Sequence, residues 1–136
     1  MSSPAHRPLA RLLGVLALSC STLALMQPAR AADDERSYLS KLEIESQIVG
    51  HGILSKNLAS GKLSHWEFHP DGRVDAVSKN GLGSASGTWT LHDDGQMCVN
   101  MLGRTGCRYW FRKGKDFANS DTRAPNAQTV AEVSYD

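Results

Sequence analysis

Residues 87–111 read Gly-Thr-Trp-Thr-Leu-His-Asp-Asp-Gly-Gln-Met-Cys-Val-Asn-Met-Leu-Gly-Arg-Thr-Gly-Cys-Arg-Tyr-Trp-Phe, and this stretch decides the fold. Asp94-Gly95 supplies the positive backbone angles of a tight hairpin turn, and the alternation on either side supplies the strands. A second, glycine-flanked turn at 103–106 follows, so the stretch predicts three short strands joined by two hairpins. Cys98 and Cys107 are placed to be bridged across the second hairpin. If they stand directly opposite, Cys98, Asn100, Tyr109 and Phe111 share one face, and Met97, Val99, Met101 and Trp110 share the other. Both faces are then partly apolar, so either a bulge breaks the parity or the hairpin is covered on both sides.

Working outward, the period-two pattern extends on both sides. Strands are predicted at 52–58, 62–69, 73–78, 84–91, 96–101 and 107–112, with Asp71-Gly72, Asn80-Gly81 and Asp94-Gly95 among the turns. Such spacing implies an antiparallel meander, closed into a small barrel or folded as a sandwich. Trp66 and Phe68 share one strand face, as do Trp89 and Leu91, and these four are the predicted core. Beyond Lys115 the chain is small and polar, with 130–135 either a last edge strand or loose. Upstream, Ser40 and Glu43 form a capping box, Gly50 is a stop signal, and Leu39, Leu42, Ile48 and Val49 make a broken apolar face. A short helix of this kind plugs or flanks a β structure. Residues 32–39 read as a loose polar segment.

The first 31 residues read as a cleaved secretory signal: Arg7 and Arg11 ahead of an apolar run, then Ala29-Arg30-Ala31 as a small-x-small cleavage site. A lipoprotein reading competes, in which Leu18-Ser19-Cys20 ends the signal and Cys20 carries a lipid anchor. Signal removal leaves 105 of 136 residues, one small domain, with 12 Lys+Arg against 14 Asp+Glu. Near-neutral charge argues against nucleic acid as a partner. After the signal, no apolar run is long enough to cross a membrane as a helix, and the address is periplasmic or secreted. In that oxidising compartment Cys98 and Cys107 are an even pair, expected to form the one structural disulfide.

The residues Phe68-x-x-Asp71-Gly72, Ser86-Gly87-Thr88-Trp89, Asp94-Gly95-x-x-Cys98 and Cys107, after a short helix ending at Gly50, resemble the motif series of an exported proteobacterial family, the domain of unknown function 995. The resemblance covers residues from about 39 to about 115. It implies a calycin-like or lipocalin-like β-barrel in the bacterial envelope, and it brings no catalytic residues.

Candidate chemistry is sparse. His65-x-Glu67-x-His69 projects two imidazoles and a carboxylate from one strand face, the donor set of zinc, copper or iron, with His51 or His92 as a fourth ligand from elsewhere. An exposed polar strand face gives the same pattern. Arg108, Trp110 and Arg112 point one way from their strand and form an expected outer patch for an anionic glycan, a lipid head group or an acidic protein surface. A charge-protected edge strand would look alike. The Gly- and Ser-rich run at 81–87 lacks both the serine nucleophile elbow and the dinucleotide-binding spacing, and Asp93-Asp94 lies in a turn that wants aspartate for backbone reasons. The reading is therefore a non-catalytic exported binding module without a cofactor. Trp66, Phe68 and Trp89 line or fill its interior, and its partner is a small apolar ligand or an envelope or secreted protein. A periplasmic metal-binding protein and an inhibitor of a secreted hydrolase are the alternatives.

Overall fold

The computed structural model describes residues 36–136. The expected signal, its cleavage site and Cys20 lie outside the described residues.

Ser40 caps a helix as expected. Its Oγ accepts from the Glu43 N–H at 3.3 Å, and Glu43 Oε2 accepts from the Ser40 N–H at 2.8 Å, opening α1 (Lys41–Gln47). Eight strands follow: β1 (Gly52–Asn57), β2 (Leu63–Phe68), β3 (Arg73–Ser78), β4 (Ser84–Leu91), β5 (Gln96–Met101), β6 (Arg104–Lys113), β7 (Asp116–Ser120) and β8 (Thr129–Tyr135). Each pairs antiparallel with its neighbour in sequence, and β8 returns to β1 with Val133 opposite Ser55, so the meander closes into a barrel. Closure leaves no strand edge unpaired, the structural solution to exposed ladder groups.

The helix closes one end of that barrel. Ile44 and Ile48 are fully buried and join Ile53, Phe68, Val74, Met97, Trp110, Phe117 and Val133 in a single apolar cluster. The backbone pins the helix there: the Gly50 N–H donates to Phe68 O at 2.8 Å, and Tyr135 Oη donates to Gln47 O at 2.9 Å. The apolar face is Leu39, Ile44 and Ile48, whereas Leu42 is exposed. Leucine at 42 satisfied the expected helical spacing, but only one stripe of so short a helix can face the barrel mouth.

Three further expectations are corrected. The described part of the segment expected to be loose is ordered: Arg36–Leu39 runs against β6, with Leu39 N–H donating to Trp110 O at 2.8 Å and Arg112 N–H to Ser37 O at 3.0 Å. The second hairpin turns at Leu102-Gly103, and β6 begins at Arg104 instead of Cys107. The polar end of the chain holds two strands, of which β8 is a closing strand and not an edge.

Cys98 stands opposite Cys107 and is bonded to it. The register carries no bulge there, so the hairpin is covered on both sides. Met97 and Trp110 face the barrel interior, and the outward Phe111 is covered by the N-terminal segment, with the Tyr38 ring edge-on at 5.5 Å and the Arg36 guanidinium 4.4 Å from its centroid.

Candidate ligand cavity

The inward positions form a cavity of about 350 Å³, open at the barrel end opposite α1. That is at the small end of the range of known ligand pockets. Its lower wall is apolar: Ile53, Trp66, Phe68, Met97, Val99 and Trp110. Phe68 organises the aromatics, stacking on Trp66 at 6.0 Å and meeting Trp89 and Trp110 edge-on at 6.3 and 6.2 Å. Three cations also line the cavity, Lys62, Arg104 and Arg108, and no carboxylate does.

Two polar atoms in this wall have no hydrogen-bond partner among the described residues: Trp110 Nε1, a donor, and Asn119 Oδ1, an acceptor. Both residues are more than nine-tenths buried, and they are register partners on β6 and β7, so their side chains stand side by side on the inner face. By contrast the Trp89 indole N–H is satisfied, donating to His69 O at 2.8 Å. A buried polar group left unpaired costs about 1–3 kcal/mol, and both atoms are closed off from the cavity space, so a side-chain shift must open the pair before a ligand can meet it.

Of the predicted site residues, Trp66 and Phe68 line the cavity and Trp89 packs against its floor. The expected outer patch does not exist as a patch. Trp110 is 4% exposed and points into the barrel, because the parity set by the Cys98–Cys107 pairing turns residue 110 inward. Arg108 shares that face; its Nη1 donates to Cys107 O at 2.8 Å and pairs with Asp121 Oδ1 at 2.7 Å. Arg112 sits at the closed end, where Nη2 donates to Glu43 Oε1 at 3.2 Å and ties α1 to β6. Glu43 is held below its ordinary carboxyl range, first by the Ser40 backbone N–H and then by Arg112. Sequence reading missed Asn119, since the run Phe117, Ala118, Asn119, Ser120 is buried at every position and shows no alternation. Its outward members are covered by Tyr38, whose hydroxyl lies 3.3 Å from Ser120 Oγ and donates to Ala124 O at 2.9 Å.

His65, Glu67 and His69 do share the outer face of β2, in a chain of contacts. His65 Nε2 is 3.1 Å and His69 Nε2 is 4.0 Å from Glu67, while His65 Nδ1 lies 2.5 Å from Asp136 and His69 Nε2 lies 2.8 Å from Asp75. Each imidazole is thus engaged with a carboxylate of its own. Among the described residues no group of three His, Cys, Asp or Glu side chains converges as a metal site. His51 is turned to Tyr135 at the closed end, with ring centroids 5.6 Å apart.

Set against protein-family models, curated proteins and solved structures, the chain matches none of them. No helix among the described residues is long and apolar enough to cross a membrane.

Proposed function

We propose that this is an exported binding protein whose barrel holds one small amphipathic ligand and does no chemistry on it. The observation that carries the reading is the cavity itself: about 350 Å³, open at one end, with an aromatic and apolar floor and with Lys62, Arg104 and Arg108 as the charged groups of its lining. A barrel filled by its own side chains leaves no such space, whereas an apolar floor under a polar, cationic upper wall suits a ligand with an apolar body and one polar group. The aromatic floor takes the ligand's apolar body, and shape and burial there supply most of the affinity. The signal-like leader and the motif resemblance to an exported family support the exported part of this reading.

Titration with N-phenyl-1-naphthylamine, an uncharged apolar fluorophore, tests the reading. Saturable binding at one site per chain is expected. Val99→Phe, which adds volume inside the cavity, should weaken it at least tenfold, and Asn119→Ala should leave the apolar probe nearly unaffected. Absence of saturable binding, or indifference to Val99→Phe, sinks the proposal.

A further inference from the structure

Four connections surround the open end of the barrel: residues 58–62 between β1 and β2, 79–83 between β3 and β4, 102–103 between β5 and β6, and 121–128 between β7 and β8. The first three, all tight hairpins, each carry an exposed leucine. Leu82 is fully exposed, Leu102 is 81% exposed and Leu58 is 44% exposed. The first two hairpins are braced against each other by Asn80, which accepts from the Leu63 N–H at 2.9 Å and donates to Gly61 O at 3.1 Å. Leu58 and Leu82 therefore stand on a braced part of the rim, and three of the four exposed leucines among the described residues lie at this end, the fourth being Leu42 on α1.

Leu102 is held against its own backbone preference. Its φ is +53°, the only positive value outside glycine among the described residues, and with Gly103 at +74° it makes a turn with two left-handed residues. That turn favours Asn or Asp at the first position; a leucine there is strained. A strained, solvent-exposed leucine gains nothing within the fold.

Charge on the rim points to what the leucines meet. The four connections with their flanking residue Arg104 contain Lys62, Lys79, Arg104 and Arg123 against one carboxylate, Asp121, which is paired with Arg108 at 2.7 Å. The far end of the barrel carries Asp71, Asp93, Asp94, Asp116 and the helix acids Glu43 and Glu45. Several of those acids are paired with cations of the same end, Lys41 with Asp93, Arg73 with Asp71 and Arg112 with Glu43, so the far end is mixed in charge whereas the rim around the cavity mouth carries cations in excess of its one carboxylate. Lys79 has one weak acidic neighbour, Asp136 at 3.8 Å.

We propose that this rim docks on an anionic lipid surface, with Leu58, Leu82 and Leu102 entering the headgroup layer and Lys62, Lys79 and Arg104 on its phosphates. Docking presents the cavity mouth to the bilayer, the place from which an amphipathic ligand would enter. The docking itself does not depend on the cavity being a ligand site. Three cations contribute on the order of 100-fold to partitioning onto an anionic surface at low salt, and the leucines add insertion that salt does not screen.

The test is co-sedimentation of the protein, purified from its own host as that host processes it, with vesicles of phosphatidylcholine alone or mixed equally with phosphatidylglycerol. Expected is binding to the mixed vesicles, weakened by salt, at least 10-fold above binding to phosphatidylcholine. Lys62→Ala with Lys79→Ala and Arg104→Ala should erase that preference, while Lys115→Ala, at the far end, should not. Leu58→Ser with Leu82→Ser should lower binding at least 10-fold. Leu102→Gly separates contact from stability: it should unfold no earlier than the parent in urea and yet bind vesicles several-fold more weakly. Failure of the parent to sediment with mixed vesicles overturns the proposal, as does unchanged binding by the leucine variants. So does a parent that ignores vesicles but is a dimer dissociated by those variants, which would make the rim a contact between two copies. Because the naphthylamine titration needs no vesicles, loss of one result leaves the other standing.

Discussion

Gly95→Ala should be among the most damaging single-methyl additions to this chain, and Gly114→Ala is its control. Both glycines sit in hairpin turns with left-handed backbone, at φ +86° and +61°. An alanine in that conformation costs about 1–2 kcal/mol in either place. The surroundings differ. A methyl at Gly114 meets nothing within 4 Å, whereas at Gly95 it would stand 2.6 Å from the Leu39 carbonyl oxygen. Ordinary contact begins near 3.4 Å, so the Arg36–Leu39 segment must retreat by most of an ångström. Leu39 is 2% exposed, its N–H is bonded to Trp110 O at 2.8 Å, and the next residue caps α1. Losing that hydrogen bond costs about 1 kcal/mol and overpacking a buried contact about 1–3 kcal/mol. Gly95→Ala should therefore cost about 3–6 kcal/mol and Gly114→Ala about 1–2 kcal/mol. Urea unfolding followed by tryptophan fluorescence, with equal slopes for all three proteins, measures the difference. If the two variants fall within about 0.5 kcal/mol of each other, less than the hydrogen bond alone, the segment is not braced on the turn and the reasoning is wrong.

The other expectations follow from the same contacts. The Cys98–Cys107 bond spans a sequence separation of 9 residues, and Cys98→Ala with Cys107→Ala should lower stability by about 2–3 kcal/mol in calorimetry or urea, if the loss is of unfolded-state constraint. Trp110→Phe should cost less than about 1 kcal/mol because it deletes the orphaned N–H along with ring area, whereas Trp110→Ala should cost about 3–5 kcal/mol; equal losses would show that the indole N–H is satisfied after all. Acid should destabilise the fold in one window. Ser86 and then His69 hold Asp75 below its ordinary range, the Gln96 N–H and then Tyr109 hold Asp94 there, and Glu43 is lowered by Ser40 and Arg112. The unfolded chain then takes up protons on these carboxyls at higher pH than the folded one, so stability is fully present above about pH 5 and falls as pH drops through about 4 and below. A urea midpoint that stays constant from pH 5 to pH 3 contradicts those contacts.

The sequence alone determined the local chemistry of this chain. Ser40 and Glu43 encode the helix start, Asp-Gly and Asn-Gly dipeptides mark hairpins, and alternation around Trp66, Phe68 and Trp89 picks the inward face; all of these depend on residues close together in sequence. The pairing of Cys98 with Cys107 was legible for the same reason. Tertiary structure decided what depends on distant partners. Closure by β8 brings residues 55 and 133 together, and coverage of β7 by Tyr38 removes the alternation that would have revealed it. The direction of Trp110 was ambiguous because both faces of its hairpin are apolar, and only the packing of Arg36 and Tyr38 on Phe111 explains why. Asn119 joins Trp110 in the cavity wall, and three leucines stand around the open end, only because an antiparallel meander brings alternate turns to one rim. A period of two assigns side chains to faces, but it carries no information about what lies across a closed barrel.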